Sequence, residues 1–187
     1  MEQRVQRLKA GIESGMGGKR PFLVAIDGGS AGGKSTLGEA LARELDATLI
    51  HMDDFFLPME MRTEARFAQP GGNVHWERVL EEVLKPLAEG KAPEYGVFDC
   101  SVMAVNRTVR EEVRDVVIVE GAYSLHPMLR DYFDLRVLVE VEETTQKERI
   151  LRRNGEKMLQ RFVKEWIPLE RAYFEACRVK DCCHMIL

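Results

Sequence analysis

Short, uninterrupted apolar runs alternate with amphipathic segments along this chain, which is the pattern of an α/β protein. The apolar runs lie at 21–27, 47–53, 115–121 and 134–141, and glycine, proline or charged residues bound them. Continuous apolar character of this kind is typical of parallel strands that are buried on both faces. We therefore expect a mainly parallel five-stranded sheet with helices on both faces, in which the chain-end segment CCHMIL supplies the fifth strand.

Helical periodicity fills most of the sequence between these runs, with apolar residues three and four positions apart. The predicted helices cover 4–13, 34–46, 76–84, 143–154 and 156–176. Valines alternate loosely with polar residues over 95–113, so we expect a small strand pair there. Strands that alternate with helices require crossover connections, which supports the parallel arrangement.

Composition and charge exclude several classes of protein. The chain has 187 residues, of which 45% are hydrophobic and 31% charged, and its formal net charge is -4. Acidic and basic residues are interspersed, so we expect no nucleic-acid surface, which would show a basic stripe. The apolar runs are too short to span a membrane and the N-terminus lacks an apolar signal segment, so we expect no membrane contact and a cytoplasmic protein.

The segment GGSAGGKST at 28–36 carries the strongest chemical signal. Gly28, Gly33, Lys34 and Ser35 match the phosphate-loop pattern G-x-x-x-x-G-K-[ST], between a predicted strand and a predicted helix. Backbone N–H groups and the helix N-terminus would cradle phosphates, Lys34 would reach the β- and γ-phosphates, and Ser35 would bind Mg²⁺. The predicted nucleotide-binding residues are Gly28, Gly29, Ser30, Ala31, Gly32, Gly33, Lys34, Ser35 and Thr36. The sequence thus predicts ATP and Mg²⁺ as ligands, with Lys34 also catalytic.

Carboxylates close two of the other predicted strands. Asp53 and Asp54 end the second strand, and Glu120 ends the third. Ligands of open parallel sheets bind at the carboxyl ends of the strands, so these acids should lie beside the phosphate loop. Glu120 and Asp53 are candidate Mg²⁺ ligands, and Asp53 could also accept a proton from an attacking hydroxyl. Because side chains alternate along a strand, we expect Asp53 and Asp54 to point to different sides, with Asp54 at a turn or near the substrate.

A basic cluster follows the fourth strand, in the segment KERILRRNG at 147–155. An arginine there could close over the phosphates as a lid. The candidate catalytic arginines are Arg149, Arg152 and Arg153. The alternative is a solvated basic face that pairs with the glutamates of 142–148.

Taken together, these segments resemble a known group of proteins. The similar segments are GGSAGGKST, DDFF at 53–56, FDCS at 98–101, VEGAYSLH at 119–126, DLRVLVEV at 134–141 and RILRRNG. Their order resembles the uridine kinase-like branch of the P-loop kinases, a branch that neighbours phosphoribulokinase, pantothenate kinase and nicotinamide riboside kinase. The resemblance implies transfer of the γ-phosphoryl group of ATP to an alcohol, with Asp53 as base, Glu120 near Mg²⁺ and the three arginines as lid.

The part that would hold the acceptor departs from the uridine kinase pattern. Asn73-Val74-His75 stands where uridine kinases have Asn-x-Asp, and Cys100 follows Phe98-Asp99 where a Tyr-Asp-Phe stretch is usual. The candidate acceptor-binding residues are Asp54, Phe56, His75, Phe98 and Asp99. The acceptor is therefore expected to be a small metabolite, either nucleoside-like or another hydroxylated compound such as pantothenate or nicotinamide riboside.

These features predict one kinase domain over 1–187. It would begin with a helix at 1–15, carry an acceptor-binding insertion at about 54–113 and a lid at about 149–160. A GTPase switch would need Asp-x-x-Gly and Asn-Lys-x-Asp, and neither occurs in the chain. A non-catalytic ATP-binding regulatory module and a homo-oligomer both stay open at this point.

Overall fold

The computed structural model describes residues 1–187, and it contains seven strands and nine α-helical segments. The strands are β1 (Phe22–Gly28), β2 (Thr48–His51), β3 (Glu94–Asp99), β4 (Ala104–Arg110), β5 (Val116–Glu120), β6 (Leu135–Val139) and β7 (Met185–Ile186). The helices are α1 (Glu2–Met16), α2 (Lys34–Leu45), α3 (Glu64–Phe67), α4 (Trp76–Arg78), α5 (Lys85–Ala88), α6 (Glu143–Asn154), α7 (Glu156–Arg161), α8 (Ile167–Ala176) and α9 (Val179–Cys182). None of these helices is both long enough and apolar enough to cross a membrane.

Five strands form one parallel sheet in the order β2-β5-β1-β6-β7. The expected α/β fold, with its parallel five-stranded sheet, is confirmed. Strand β5 lies between β1 and β2, so Glu120 is paired in register with Ile26 on one side and His51 on the other. The end of β5 therefore lies between the phosphate loop that follows β1 and the acidic segment that follows β2.

The expected strand pair is also present, because β3 and β4 form a separate antiparallel hairpin. The hairpin falls inside the predicted acceptor-binding insertion at about 54–113. The division of the chain into an N-terminal helix, an insertion and a lid stays a prediction.

The second strand is shorter than the sequence indicated, since β2 ends at His51 and a 3₁₀ helix follows at Met52–Phe55. Met52 and Phe55 are both buried, and a three-residue period brings both side chains to the same side of the turn. The prediction that Asp53 and Asp54 alternate along a strand is therefore wrong, because both residues lie in this turn.

Two helices predicted as continuous contain π-helical turns. The helix predicted at 76–84 passes from α4 through a π turn at Val79–Leu84 and continues into α5. The helix predicted at 156–176 has a π turn at Phe162–Trp166. Pro168 follows that second turn, and a proline cannot donate the N–H that a regular α-helix requires.

Apolar side chains cover both faces of the sheet and fix its position. On one face, Val5, Leu8 and Ile12 of α1 and Leu37 and Leu41 of α2 pack against β1, β5 and β6. A larger cluster on the other face joins the sheet to the β3–β4 hairpin, α5 and the loop after β5. The hairpin is thus attached to the sheet face from which the acidic turn projects.

Asp27, at the end of β1, is fully buried and joins three elements that converge on the phosphate loop. Its carboxylate accepts hydrogen bonds from the N–H groups of Gly28, Tyr123 and Leu125 and from the hydroxyl of Tyr173. Burial raises the pKa of this carboxyl, and the hydrogen bonds oppose that shift. Asp27 therefore ties β1 to the loop after β5 and to α8.

Replacing this carboxylate should destabilise the protein strongly. Asp27→Ala leaves the N–H groups of Tyr123 and Leu125 and the Tyr173 hydroxyl without an acceptor in the core, which we expect to lower the free energy of unfolding by about 3–5 kcal/mol. Tyr173→Phe removes one of these bonds and should cost about 1 kcal/mol. Denaturant unfolding of both variants measures the difference. A loss below about 1 kcal/mol for Asp27→Ala would show that Asp27 does not hold these elements together.

Candidate active site

The phosphate loop has the backbone of an anion cradle. Gly28 and Gly33 have φ values of 149° and 96°, in the region that favours glycine. A Cβ on Gly28 would lie 2.3 Å from the carbonyl oxygen of Val139, so no larger residue fits there. Lys34 is buried, and its Nζ donates a 2.9 Å hydrogen bond to the Gly29 carbonyl oxygen. The loop thus holds its lysine folded back over its own backbone.

Several donors of this loop have no partner within the protein. The N–H groups of Ala31 and Gly33, and those of the first turn of α2 (Lys34 to Thr36), make no internal hydrogen bond. Unpaired N–H groups at a helix N-terminus, together with a lysine ammonium, form a site for phosphate oxygens. The residues present therefore fit the phosphate groups of a nucleotide.

Glu120 lies between the loop and the acidic turn, and only 3% of its surface is exposed. Its Oε2 accepts a hydrogen bond from Ser35 Oγ at 3.2 Å, and its Oε1 is 2.6 Å from Nδ1 of His51. This hydrogen bond raises the pKa of His51, although burial partly opposes it. Ser35 and Glu120 thus place two oxygen ligands together beside the cradle.

This pair of oxygens fits Mg²⁺, which proteins usually hold through one or two side chains, substrate phosphates and water. No group of three or more His, Cys, Asp or Glu side chains is arranged to hold a metal ion. A magnesium ion at Ser35 and Glu120 would therefore take its remaining ligands from the nucleotide and from water.

Asp53 and Asp54 occupy different surroundings within their turn. Asp53 is solvent-accessible, but the surrounding protein and then the Glu120 carboxylate raise the pKa of its carboxyl. The charges of Lys34, His51 and Arg153 oppose that shift. Burial also raises the pKa of Asp54, and the charges that act on it are those of His51, Arg107, Asp53 and Glu111. Lys34 and Glu120 of the phosphate site thus act on Asp53, whereas Arg107 of the hairpin acts on Asp54.

The three predicted lid arginines are not equivalent. Nη1 of Arg149 lies 3.2 Å and 3.3 Å from the carbonyl oxygens of Ala31 and Gly32, so Arg149 covers the phosphate loop. Nε of Arg153 donates to the side-chain oxygen of Asn154, and the positive charge of Arg153 acts to lower the pKa of Asp53. Arg152 is exposed and makes no hydrogen bond or ion pair. Arg149 thus contacts the phosphate loop, whereas Arg152 contacts no part of the site and Arg153 acts on it only through its charge.

Two of the predicted acceptor residues form an apolar pair, and a third is hydrogen-bonded within the hairpin. Phe56 and Phe98 form an edge-to-face pair with ring centroids 6.2 Å apart, on the side of the turn that faces the hairpin. Asp99 at the hairpin tip bonds internally to Ser101 and Asn106, and the hydrogen bonds from Ser101 lower the pKa of its carboxyl.

His75 is joined to the acidic turn through its backbone, since its N–H donates to the Phe55 carbonyl oxygen at 2.8 Å. Burial lowers the pKa of its ring, and the charges that act on it belong to Glu77, Arg78, Arg66 and Glu82. These four residues form two ion pairs that order the insertion. The structure thus brings the backbone of His75 to the turn that carries Asp53.

Sequence reasoning missed three side chains that contact the site. Glu170 of α8 is buried, and its carboxylate accepts hydrogen bonds from the N–H and the hydroxyl of Ser30. Gln146 of α6 donates to the Ser30 carbonyl oxygen at 2.9 Å. Burial raises the pKa of Glu170, while the bonds from Ser30 lower it. These two residues lie far from the loop in sequence and match no motif, whereas His51 could have been found from its place directly before the acidic turn.

Comparisons with known proteins show the family and the fold. The family model described as chloramphenicol phosphotransferase-like protein matches residues 22–163. A uridine kinase of Clostridium botulinum is 31% identical over 147 residues, which cover 72% of this chain and 68% of that protein. The structure described as a possible uridine kinase from Bacillus stearothermophilus superposes with a TM-score of 0.79 at 18% identity and covers 100% of this chain and 98% of its own. A D-glycerate 3-kinase from Cryptococcus neoformans has a TM-score of 0.64 at 17% identity, with coverage of 88% and 86%.

The contact between Glu170 and Ser30 predicts a positioning role that kinetics can detect. Glu170→Ala should raise the KM for ATP about tenfold with a smaller change in kcat, because the loop loses the acceptor for two donors of Ser30. Glu170→Gln keeps an acceptor oxygen and should restore most of the affinity. The control Glu175→Ala changes an exposed glutamate of the same helix and should leave KM unchanged. If Glu170→Ala binds ATP as tightly as the control does, the loop does not depend on this contact.

Proposed function

The chain belongs to the chloramphenicol phosphotransferase-like family of P-loop kinases and is uridine kinase-like, and we propose that it transfers the γ-phosphoryl group of ATP to a hydroxyl of a small metabolite. It is a phosphotransferase that acts on an alcohol group. One observation carries the specific proposal. The phosphate loop, the Ser35–Glu120 pair and Asp53 all lie at the carboxyl edge of one parallel sheet.

On the donor side, the chain would hold the triphosphate mainly through backbone groups. The unpaired N–H groups of Ala31, Gly33 and the first turn of α2 would bind phosphate oxygens, and the Lys34 ammonium would leave the Gly29 carbonyl for a phosphate oxygen. Ser35 and Glu120 would hold Mg²⁺, which neutralises charge on the phosphates when it is bound.

On the acceptor side, Asp53 is the candidate base. Its pKa is raised by its surroundings and by Glu120, so its carboxylate accepts a proton more readily than an ordinary aspartate does. The proton of the acceptor hydroxyl would pass to Asp53 as the oxygen attacks the γ-phosphorus. Arg149, which contacts the loop, would bind the transferring phosphoryl group and help to exclude water, and Arg153 would add its positive charge.

The names of the relatives and the contacts in this chain support different chemical classes of acceptor. Relatives carry the name uridine kinase, which supports a nucleoside-like acceptor. In this chain, however, Asp99 is hydrogen-bonded to Ser101 and Asn106, and a histidine, His75, stands where uridine kinases have an aspartate. These contacts favour another hydroxylated metabolite, with pantothenate and nicotinamide riboside as the alternatives to a pyrimidine nucleoside.

Acceptor-dependent release of ADP tests the proposal. The protein is incubated with ATP, Mg²⁺ and one alcohol at a time, from a panel that includes uridine, nicotinamide riboside and pantothenate. We expect at least one alcohol to stimulate ADP release, and Lys34→Ala to abolish that stimulation. A non-catalytic ATP-binding module would instead bind ATP and release no acceptor-dependent ADP.

Substitution of the two adjacent acids should separate their roles. Asp53→Asn removes the proton acceptor and should lower kcat by about 10²-fold or more, on the order expected for a general base, with little change in ATP affinity. Asp54→Asn is the matched control, because it neutralises the neighbouring carboxylate of the same turn, and it should keep most of the turnover. Full activity in Asp53→Asn together with loss of activity in Asp54→Asn would reverse the assignment.

The raised pKa of Asp53 predicts an acid limb in the rate profile. The carboxylate form is the active one, so kcat/KM should fall as the pH drops through the pKa of Asp53, which lies above the ordinary value of 3.8. The remaining activity of Asp53→Asn should lack this limb. An acid limb of the same midpoint in both proteins would assign the titration to another group.

A further inference from the structure

Arg62 is a half-buried arginine beside the candidate acceptor site that neither the motifs nor the comparisons single out. Its Nε donates to the carbonyl oxygen of Leu57 at 2.8 Å, which fixes the base of the guanidinium group. Its Cζ lies 5.8 Å from the ring centroid of Phe98. Leu57 lies two residues after the turn at Met52–Phe55, and Phe98 pairs with Phe56, so Arg62 lies beside the segment that carries Asp53.

The guanidinium of Arg62 has no anionic partner. Two other arginines of the insertion are each held by a carboxylate through two hydrogen bonds, Arg66 by Glu77 and Arg78 by Glu82. Arg62 forms no ion pair, and its two Nη atoms donate to no protein group. A half-buried guanidinium whose Nη atoms donate to no protein group is free to bind an anion.

The carboxylate of Asp99, at the hairpin tip, is hydrogen-bonded within the protein to Ser101 and Asn106. The wall that Phe56 and Phe98 form is apolar. The Arg62 guanidinium is thus a free cationic donor beside this wall, which suits the carboxylate of a ligand.

We infer that the acceptor is a hydroxy acid, whose carboxylate binds the guanidinium of Arg62 while its hydroxyl lies at Asp53. The inference rests on the proposed function, since it names the class of alcohol that this kinase phosphorylates. A carboxylate presents two oxygens that match the planar guanidinium fork, and both Nη atoms of Arg62 are free beside Phe98. In this arrangement Arg62 determines specificity and Asp53 acts in the chemical step.

Matched pairs of acceptors test the charge requirement directly. Glycerate is compared with glycerol, and pantothenate with pantothenyl alcohol, with uridine as a neutral nucleoside, all by ADP release. We expect at least one acid to exceed its neutral partner in kcat/KM by about tenfold to a hundredfold, the range of a charge-assisted bond. Arg62→Gln should remove this preference mainly by raising KM for the acid, and Arg62→Lys should restore part of it.

The control Arg114→Gln removes the same charge from an exposed arginine that pairs with Asp46 and Glu112, and it should keep the preference. Thermal unfolding of Arg62→Gln in the presence of ATP checks that the variant folds and binds nucleotide. A neutral alcohol that is phosphorylated as well as its acid partner, or a preference that survives in Arg62→Gln, would overturn the inference and leave the kinase proposal intact. Absence of acceptor-stimulated ADP release with every compound would count against both proposals.

Discussion

The buried carboxylate of Asp27 is the contact on which the geometry of this site depends. Its four hydrogen bonds join the end of β1, the loop after β5 and helix α8. The first of these elements leads into the phosphate loop, the second follows Glu120, and the third carries Glu170. One fully buried acid therefore sets the relative positions of the phosphate loop, of Glu120, which would bind the metal ion, and of Glu170, which holds the loop. A buried carboxylate is tolerated because every donor around it is used.

A second set of contacts connects the phosphate loop to the helices around the lid. Gln146 of α6 and Glu170 of α8 both bond to Ser30, one to its carbonyl oxygen and the other to its N–H and hydroxyl. These helices lie on either side of the turn at Gly155, which has a φ of 79°. A movement of the helices around that turn would therefore act on the loop directly, and Arg149 would move with it.

The sequence predicts the local features of this structure and misses those that depend on contacts between distant parts of the chain. The phosphate loop and the strands before and after it are local patterns, so glycine spacing and apolar runs predict them well. The apolar run at 47–53 predicts strand through Asp53, whereas the turn begins at Met52, because the burial of Met52 and Phe55 is a tertiary effect that an apolar run does not show. The carboxylate of Glu170 and the N–H groups of Tyr123 and Leu125 lie far along the chain from Ser30 and Asp27, and no local motif marks them.

The central claim is that the edge of this sheet transfers a phosphoryl group to an alcohol. It is tested most directly by following the γ-phosphoryl group itself, with ATP that carries ¹⁸O on the γ-phosphorus, in a metabolite extract analysed by mass spectrometry. The account predicts one phosphate ester that carries the label, forms in equal amount with ADP and is absent when Lys34→Ala replaces the protein. Label that appears only in inorganic phosphate, or ATP that is bound and left intact, would contradict it.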